Sequence, residues 1–374
     1  MARQRSRLRP YAYFRNIHMP HPIRLAINGY GRIGRCFLRA LHESPLRASF
    51  QVVAINEPAD LDSMAYLTRF DSTHGIFPGE VRQLDQGLEI DGAPIRVSHA
   101  RNPEEVDWAA LDIDILVECS GQYGKRSELE RFLAAGCPRL LLSHPGRSAQ
   151  DIDFTLIYGI NDGELTGRER LVSNASCTTN AVVPVLDQLH QAFGVEHAFL
   201  STLHSVMNDQ PLIDGYHHSD LRRTRSAMQS IVPVATGLAQ GVERFLPALA
   251  GKVQAKAIRV PTLNVSAIDI MVQLSRDASG AELNALLRAA AQRQPRLQAY
   301  SDAPHASVDF NHDPHSVIVD GSQTRMNGPR LANVFVWFDN EWGFACRLLD
   351  AVQAWSALFA SPAEELAAAV SRHG

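Results

Sequence analysis

The sequence predicts an α/β protein in two parts: a doubly wound parallel sheet, then an α+β part with a mostly antiparallel sheet. In the first half, short apolar strand patterns alternate with helical patterns, as in chains that build a parallel sheet covered by helices. A glycine-rich turn joins the first strand pattern, residues 23–28, to the first helical pattern. In the second half, longer strand patterns predominate, at residues 253–260, 265–274 and 331–338.

Composition restricts the class of protein. The chain has 374 residues, 45% hydrophobic and 20% charged, so two globular domains are expected. No apolar run approaches the roughly 20 residues that cross a bilayer, and a net charge of −4 gives no case for a nucleic-acid partner. The five cysteines are scattered without a CxxC pair, which is typical of a reducing compartment such as the cytoplasm and gives no structural zinc pattern.

Residues 1–22 differ from the rest and are expected to form a flexible, Arg-rich tail. The first 19 positions contain five arginines and no acidic residue. A secretory signal would need an apolar core, which is absent here. Met19 stands four residues before the first strand pattern, so a start codon placed too early and a targeting role both stay open.

The glycine-rich turn has the sequence Gly29-Tyr30-Gly31-Arg32-Ile33-Gly34, directly after the strand pattern that ends at Asn28. This is GxGxxG between a strand and a helix, the context of a Rossmann-type dinucleotide site. Gly29 permits the tight turn, Gly31 lets the backbone approach a pyrophosphate, and Gly34 lets the helix pack on the strand. We expect cofactor contacts from Asn28, Gly29, Gly31, Arg32, Ile33 and Gly34.

Two later strand ends add to this site. The strand pattern 51–55 leads to Glu57, 23 residues after Gly34, near the spacing expected for an acid that binds ribose hydroxyls. A carboxylate there would repel a 2′-phosphate, which predicts NAD rather than NADP. The strand pattern 114–119 leads to Ser120, and small residues at such strand ends are typical of ligand contacts in doubly wound sheets.

Further patterns complete the first half. A helix is expected at 127–135 and a strand at 139–143, and residues 81–97 alternate around Asp91-Gly92 as a hairpin inserted into the sheet.

Cys177 stands in Ser173-Asn174-Ala175-Ser176-Cys177-Thr178-Thr179-Asn180, just ahead of a helical pattern at 181–193. A thiol at the positive end of a helix dipole is expected to ionise near neutral pH and to act as a nucleophile. The alternative is a buried structural cysteine, the commoner fate of a lone Cys. The small polar residues around Cys177 favour the nucleophile.

A strand pattern at 198–203 delivers His204 to the start of a long polar segment, residues 205–227. A loop of this length in a compact domain is usually functional. It contains Asp220-Leu221-Arg222-Arg223-Thr224-Arg225, which is either a solvated basic face or a clamp for phosphate or carboxylate.

With these motifs the chain resembles the glyceraldehyde-3-phosphate dehydrogenase superfamily. Other carrying motifs are Phe70-Asp71-Ser72-Thr73-His74-Gly75, Arg259-Val260-Pro261-Thr262, Asn264-Val265-Ser266 and Trp337-Phe338-Asp339-Asn340-Glu341. The resemblance implies an NAD-binding domain at 23–176, completed by a C-terminal helix within 343–374, and a catalytic domain at 177–342. It also implies a homotetramer whose subunits meet at the long loop, with no membrane or nucleic-acid partner.

Within the superfamily, the chain is most similar to the erythrose-4-phosphate dehydrogenases. The local motifs are Leu142-Ser143-His144-Pro145-Gly146, His204-Ser205-Val206-Met207-Asn208-Asp209-Gln210 and Val308-Asp309-Phe310-Asn311-His312-Asp313-Pro314-His315-Ser316. This resemblance implies NAD-dependent oxidation of a sugar-phosphate aldehyde to its acid, feeding pyridoxal 5′-phosphate biosynthesis.

The resemblance also implies residue roles. Cys177 would attack the aldehyde, His204 would act as general base, and Asn340 would hold the nicotinamide carboxamide. Arg223 and Arg259 would bind the substrate phosphate. Further substrate contacts are expected from Ser176, Thr178, Thr236 and Gly237.

Two departures from the glycolytic pattern matter. Position 207 is Met where phosphorylating enzymes usually have a Thr, and methionine cannot donate a hydrogen bond. This predicts that water, rather than phosphate, resolves the thioester. Position 181 is Ala where many relatives have a second cysteine, so only Cys177 is expected to be needed for the chemistry.

Two other functions stay open, and a metal site is not expected. One is a phosphorylating glyceraldehyde-3-phosphate dehydrogenase. The other is a binding protein that has lost catalysis, against which the intact Cys177, His204 and Asn340 speak. His312-Asp313-Pro314-His315 lacks helical ligand spacing and an evident third ligand.

Overall fold

The computed structural model describes residues 21–359, and all that follows concerns this part of the chain. The predicted tail at 1–22 lies outside it except for its last two residues. The final segment, 360–374, also lies outside it.

Strands and helices alternate in the first half of the described chain, and strands predominate in the second. The strands are β1 (Ile23–Asn28), β2 (Phe50–Asn56), β3 (Phe70–Asp71), β4 (Gly75–Ile76), β5 (Val81–Leu84), β6 (Gly87–Ile90), β7 (Ala93–Ser98), β8 (Ile115–Glu118), β9 (Leu140–Leu142), β10 (Phe154–Thr155), β11 (Leu171–Ser173), β12 (Val195–His204), β13 (Val232–Val234), β14 (Val253–Arg259), β15 (Ser266–Leu274), β16 (Gln298–Ser301), β17 (Val317–Asn327) and β18 (Leu331–Phe338).

The α-helices are α1 (Arg32–Glu43), α2 (Leu61–Arg69), α3 (Arg126–Ala134), α4 (Cys177–Phe193), α5 (Leu238–Phe245), α6 (Gly280–Arg293) and α7 (Trp342–Ser356). None of these helices combines the length and apolar character that a membrane span would require. Between them lie short 3-10 helices, including Leu221–Thr224 in the long polar loop.

Nine of the described strands form one sheet, in the order β10-β11-β9-β8-β1-β2-β7-β6-β5. β1 lies parallel to β2 on one side and to β8 on the other. The strand order therefore reverses at β1, and in open α/β sheets ligands bind at the carboxyl ends of the strands beside such a reversal. The predicted doubly wound sheet is confirmed.

The hairpin predicted around Asp91-Gly92 extends this sheet. β6 and β7 are antiparallel, and Asp91 and Gly92 between them both have positive φ, 50° and 81°. Positive φ at both central residues is the geometry of a two-residue type I′ turn. β5 pairs with β6 and adds a further strand at the edge.

A second sheet of seven described strands has the order β13-β14-β12-β15-β18-β17-β16. The neighbours β12 and β14 run parallel, as do β16 and β17. The other four pairs of neighbours run antiparallel. The predicted mostly antiparallel sheet is therefore confirmed.

Each sheet has a hydrophobic core that includes helices packed against it. Trp355 and Val352 of α7 pack in the same core as Phe37 of α1 and the first sheet. A second core lies between α4 and the second sheet. The partly buried side chain of Cys177 packs against both cores, which places it between the two sheets.

Candidate active site

Cys177 is the first residue of α4, four positions earlier than the predicted helix began. The hydroxyl of Ser176 caps the helix by accepting a hydrogen bond from the backbone N–H of Thr179, at 3.1 Å. Ala175, with φ of +55°, turns the chain from β11 into this cap. The backbone N–H groups of Thr178 and Cys177 act to lower the pKa of the thiol, so the start of the helix faces the sulfur.

His204 ends β12 and lies beside the thiol. Its Nε2 is 3.9 Å from the sulfur of Cys177. Its Nδ1 lies 2.8 Å from the carbonyl oxygen of Ser205, to which only a protonated Nδ1 can donate. This contact selects the tautomer that leaves Nε2 as an acceptor, the form that a general base requires.

Burial sets the charge of this pair. It raises the pKa of the Cys177 thiol to about 11, although backbone N–H groups and the charge of Arg259 act in the opposite direction. It lowers the pKa of His204 to about 4, and Arg259 acts in the same direction. The prediction that Cys177 ionises near neutral pH is therefore wrong, because burial outweighs the field of the helix start. At pH 7 a neutral thiol faces a neutral imidazole, so the base must remove the proton as the sulfur attacks.

Asn340, predicted to hold the nicotinamide carboxamide, follows β18 and is held by two serines. Its side-chain oxygen accepts hydrogen bonds from Ser205 Oγ at 3.1 Å and from Ser266 Oγ at 2.7 Å. Among the described residues, its side-chain nitrogen donates to no acceptor. The serines thus fix which end of the amide is available to a ligand. Val265, just before Ser266, has φ of +64°, an uncommon conformation for a β-branched residue.

The two arginines predicted to bind phosphate meet at a carboxylate that the sequence did not single out. Arg223 Nη1 lies 2.8 Å from Asp209 Oδ2, and Arg259 Nη1 lies 3.5 Å from Asp209 Oδ1. Arg259 is 8% exposed and also lies 3.4 Å from the side-chain oxygen of Gln210. The structure therefore brings both arginines together around an internal anion.

The hydroxyl and backbone groups predicted to contact the substrate lie at the starts of α4 and α5. Ser176 Oγ lies 3.0 Å from Thr178 Oγ1 at the start of α4. Thr236 Oγ1 accepts from the backbone N–H of Leu238 at 3.2 Å, and Gly237 is the N-cap of α5. Such helix starts offer N–H groups to anions.

α5 lies close to α4. A Cβ on Gly241 of α5 would come within 2.9 Å of Thr179 Oγ1 on α4. This close approach sets both helix starts near each other.

The glycine turn has the shape that a dinucleotide requires. Gly29 has φ of +84°, and a Cβ there would lie 2.5 Å from the backbone of Ser120. A Cβ on Gly34 would lie 2.3 Å from the carbonyl oxygen of Gly29. A Cβ on Gly31 would meet no atom within 4 Å, so the space beside it is open to a ligand.

The start of α1 offers donors to the same space. The backbone N–H groups of Arg32, Ile33 and Gly34 donate to no acceptor in the described chain. Unsatisfied N–H groups at a helix start favour a pyrophosphate. Together with the open space beside Gly31, they make the turn fit an NAD cofactor.

Glu57 lies against this turn, as the ribose-binding prediction requires. Its carboxylate accepts the backbone N–H of Tyr30 at 2.7 Å and that of Ala59 at 3.2 Å. The carboxylate is thereby fixed at the carboxyl end of β2, beside the glycine turn.

Asn28 and Ser120, at the ends of β1 and β8, meet at the carboxylate of Glu118. This carboxylate is fully buried and accepts hydrogen bonds from the side-chain nitrogen of Asn28 and from the hydroxyl and N–H of Ser120. Burial raises the pKa of Glu118 to about 7, against the effect of these bonds. Asn28 and Ser120 are thus both positioned by one buried acid.

Arg32, predicted as a cofactor contact, has its side chain bound within the protein. Its guanidinium is bound by the carboxylates of Asp71 and Glu341, on distant parts of the chain. These partners raise its pKa further above the usual value. The side chain therefore joins α1 to the segment before α7, and the backbone N–H of Arg32 is the part that faces the cofactor space.

One cluster has atom types that could bind a metal. Single ligand atoms of Cys36, His74 and Glu341 lie within 4.8 Å of one another. Glu341 is already held by the guanidinium of Arg32, and burial raises the pKa of the Cys36 thiol well above its usual value. A competing guanidinium and an un-ionised thiol do not favour a cation, because metals bind the thiolate. His312 and His315 are not in this cluster.

Comparison with known families now decides the identity of the fold. Residues 23–126 match the family model for the glyceraldehyde 3-phosphate dehydrogenase NAD-binding domain. Residues 176–340 match the model for the C-terminal domain of the same family. The chain belongs to the glyceraldehyde-3-phosphate dehydrogenase family. Its fold is the two-domain α/β fold of that family, its first domain binds NAD, and its domains are those of an NAD-dependent dehydrogenase.

Sequence reasoning missed several residues that position the candidate site. Ser205 and Ser266 orient Asn340, Glu118 holds Asn28, and Asp209 bridges the two arginines. Ser266 and Asp209 stood in motifs that were noticed, but their partners lie 14 to 74 residues away in the chain. No local pattern identifies partners at such distances.

Proposed function

We propose that this dehydrogenase oxidises D-erythrose 4-phosphate to 4-phosphoerythronate with NAD, for pyridoxal 5′-phosphate biosynthesis. The observation that carries the proposal is Met207 in the segment after His204, at a position where phosphorylating enzymes usually have a Thr. A thioether cannot donate a hydrogen bond to phosphate. The segment is therefore poorly suited to bind a second phosphate as attacking nucleophile.

The residues present support a covalent mechanism. The sulfur of Cys177 attacks the aldehyde carbon while Nε2 of His204 takes the thiol proton. His204 then gives this proton to the former carbonyl oxygen, which yields a hemithioacetal. Nε2 accepts the same proton again when the carbon is oxidised, and a thioester remains. NAD, when bound, supplies the acceptor for the hydride that leaves the carbon.

Water then releases the product in this proposal. After His204 has lost its proton to solvent, Nε2 can take a proton from a water molecule that attacks the thioester carbon. The carbon–sulfur bond breaks, and the leaving sulfur recovers that proton from His204. The result is a carboxylic acid and the original thiol.

A second candidate is a phosphorylating glyceraldehyde-3-phosphate dehydrogenase. The observation that favours it is the retained set of small donors at the helix starts, Ser176, Thr178, Thr236 and Gly237. These donors suit an inorganic phosphate as well as they suit a substrate phosphate.

Steady-state rates with both sugars, each with and without inorganic phosphate, separate the two candidates. We expect the higher kcat/KM with erythrose 4-phosphate and turnover without phosphate. If glyceraldehyde 3-phosphate gives the higher kcat/KM and turnover requires phosphate, the second candidate replaces the first.

We also propose that the protein is a homotetramer. The long loop after His204 exposes a series of apolar side chains: Leu212, Ile213, Tyr216 and Leu221. Exposed apolar patches are typical of subunit contacts. Light scattering is expected to give four times the mass of the chain, and a monomer at micromolar concentration would contradict this proposal.

A further inference from the structure

His74 and His312 form a pair that joins the two domains. His74 lies in the turn between β3 and β4, and its side chain is fully buried. His312 lies just after the 3-10 helix Ser307–Phe310. The Nδ1 atoms of the two rings are 3.1 Å apart, although the residues are 238 positions apart in the chain. This contact therefore connects the NAD-binding domain with the C-terminal domain.

The other nitrogen of each ring faces a carboxylate. Nε2 of His74 lies 3.1 Å from Oε2 of Glu341, and Nε2 of His312 lies 3.0 Å from Oε2 of Glu43. Each Nε2 needs a proton to donate to its carboxylate, and the two Nδ1 atoms need one proton between them. The two rings thus connect the end of α1, at Glu43, with the residue before α7, Glu341.

The pair reaches both chain neighbours of Asn340. The carboxylate of Asp339 accepts the backbone N–H of His312 at 2.8 Å. On the other side of Asn340, the carboxylate of Glu341 is bound by the ring of His74. The segment that carries the Asn340 amide is therefore held from both ends.

The ring of His312 has a fixed direction. It stacks on Trp342, with 3.6 Å between the ring centroids and 20° between the ring planes. The backbone of His312 has φ of +67°, a conformation that residues other than glycine seldom adopt. Such a conformation persists where the surrounding contacts determine it. Here these contacts direct Nδ1 of His312 at His74.

We propose that His74 and His312 are positioning residues that hold Asn340 at the nicotinamide end of the NAD site. Their hydrogen bond through the two Nδ1 atoms is the link that matters. This inference rests on the predicted role of Asn340 in binding the carboxamide, and it does not depend on which sugar is oxidised. Arg32 also binds Glu341, so loss of the link should weaken nicotinamide binding without abolishing it.

The test compares the affinity for NAD with the affinity for ADP-ribose, which lacks the nicotinamide, by calorimetric titration. His312→Gln keeps a donor near the position of Nε2 and loses the one at Nδ1. We expect its dissociation constant for NAD to rise at least about fivefold, and that for ADP-ribose to stay unchanged. His312→Asn keeps an amide near the position of Nδ1 and should bind NAD within about twofold of the parent chain.

His305→Gln is the matched control. The side chain of His305 is 33% exposed, as is that of His312, and it lies 3.5 Å from the carboxylate of Asp309. This variant should leave both affinities unchanged. Equal NAD affinity in the parent and in His312→Gln, with both shown to be folded by thermal unfolding, would overturn the inference. A loss of ADP-ribose affinity as large as that of NAD would also overturn it, because it would show a general structural effect.

A second variant tests whether the two histidines act in series. His74→Asn loses the donor to Glu341 and should show the same selective loss of NAD affinity. The double variant, His74→Asn with His312→Gln, should bind NAD no more weakly than His74→Asn alone. Additive losses would show that the histidines act separately and would contradict the inference.

Hydride transfer gives an independent measurement. The burst of NADH in the first turnover should slow about tenfold in His312→Gln, with either sugar phosphate. Alkylation of Cys177 by iodoacetamide without cofactor should proceed at the parent's rate. A burst as fast as the parent's would overturn the inference. The titrations use no sugar, so a preference of the parent for glyceraldehyde 3-phosphate would refute the proposed substrate alone.

Discussion

His204 and Arg259 are paired in register at the carboxyl ends of β12 and β14. These strands are parallel neighbours in a sheet whose other pairs are mostly antiparallel. Parallel pairing brings two carboxyl ends together, so the base and the buried cation lie side by side at one edge of the sheet. As a result, the charge of Arg259 lowers the pKa of both the thiol and the imidazole.

The first prediction concerns the reactivity of Cys177. Because burial raises its pKa to about 11, little thiolate exists at pH 7. Inactivation by iodoacetamide should therefore accelerate about tenfold per pH unit from pH 7 to 9, as the thiolate fraction grows. A rate that reaches its plateau below pH 8 would show an ionised thiol and contradict this expectation. Cys177→Ser, which cannot be labelled at this site, identifies the modified residue.

The acid limb of the pH profile gives a second prediction, about His204. Its pKa is lowered to about 4 by burial, so the imidazole stays neutral, and able to accept a proton, down to that pH. The acid limb of kcat/KM should therefore fall near pH 4 to 5 rather than near the ordinary value of about 6.5. An acid limb centred at pH 6.5 would mean that His204 is not buried as the structure shows. The control is His190→Gln, at a histidine of α4 outside the candidate site. It should leave the acid limb of kcat/KM at the same pH as in the parent chain.

The third prediction separates folding from cofactor binding at the glycine turn. Gly31→Ala adds a methyl group to open space at a φ of −73°, so the free energy of unfolding should change by less than about 1 kcal/mol. The same methyl group would enter the space that a pyrophosphate approaches. We expect NAD affinity, measured by calorimetric titration, to fall at least about tenfold.

Two other glycines calibrate this result. Gly163→Ala also adds a methyl group to open space, so it should change neither the free energy of unfolding nor the affinity for NAD. Gly29→Ala should unfold the domain, because its Cβ would overlap the backbone of Ser120 at a positive φ. If Gly31→Ala binds NAD as tightly as the parent chain does, the cofactor does not bind in the space beside Gly31.

The sequence was sufficient for the glycine turn and for Cys177 because both depend on neighbours within a few residues. The strand, the turn and the helix that carry Gly29, Gly31 and Gly34 are continuous in the chain. Strand β18 was likewise predicted with its observed bounds, because its alternation of buried and partly exposed residues is regular.

The electrostatics of the site could not be predicted in this way. The charge state of Cys177 follows from burial between two cores that form around residues far apart in the chain. The ion pairs of Arg32 could not be predicted for the same reason, since its partners Asp71 and Glu341 lie 39 and 309 residues away. A sequence pattern shows that a residue is charged but does not show which distant group it will meet.

The last prediction concerns Glu118, the buried acid beneath the cofactor site. Burial raises the pKa of Glu118 in the folded protein to about 7, above its ordinary value of 4.5. Folding therefore favours the protonated carboxyl, and the contribution of Glu118 to stability is largest below pH 4.5 and declines as the pH rises through 7. Whereas burial favours the protonated carboxyl group, the hydrogen bonds that Glu118 accepts favour the carboxylate. The side chains of Asn28 and Ser120 and the backbone N–H of Ser120 all donate to Glu118, and a carboxylate accepts such bonds more strongly than a protonated carboxyl group does.

Protonation should therefore loosen Asn28 and Ser120 and weaken NAD binding. We expect the dissociation constant of NAD to rise several-fold as the pH falls from 8 to 6, because loss of one buried hydrogen bond costs about 1 kcal/mol. Glu118→Gln, whose amide nitrogen faces the donor of Asn28, should bind NAD weakly at both pH values. Glu130→Gln, at a half-exposed carboxylate on α3, should retain the parent's pH dependence. If the parent binds NAD equally at pH 6 and 8, Glu118 does not couple its proton to the cofactor site.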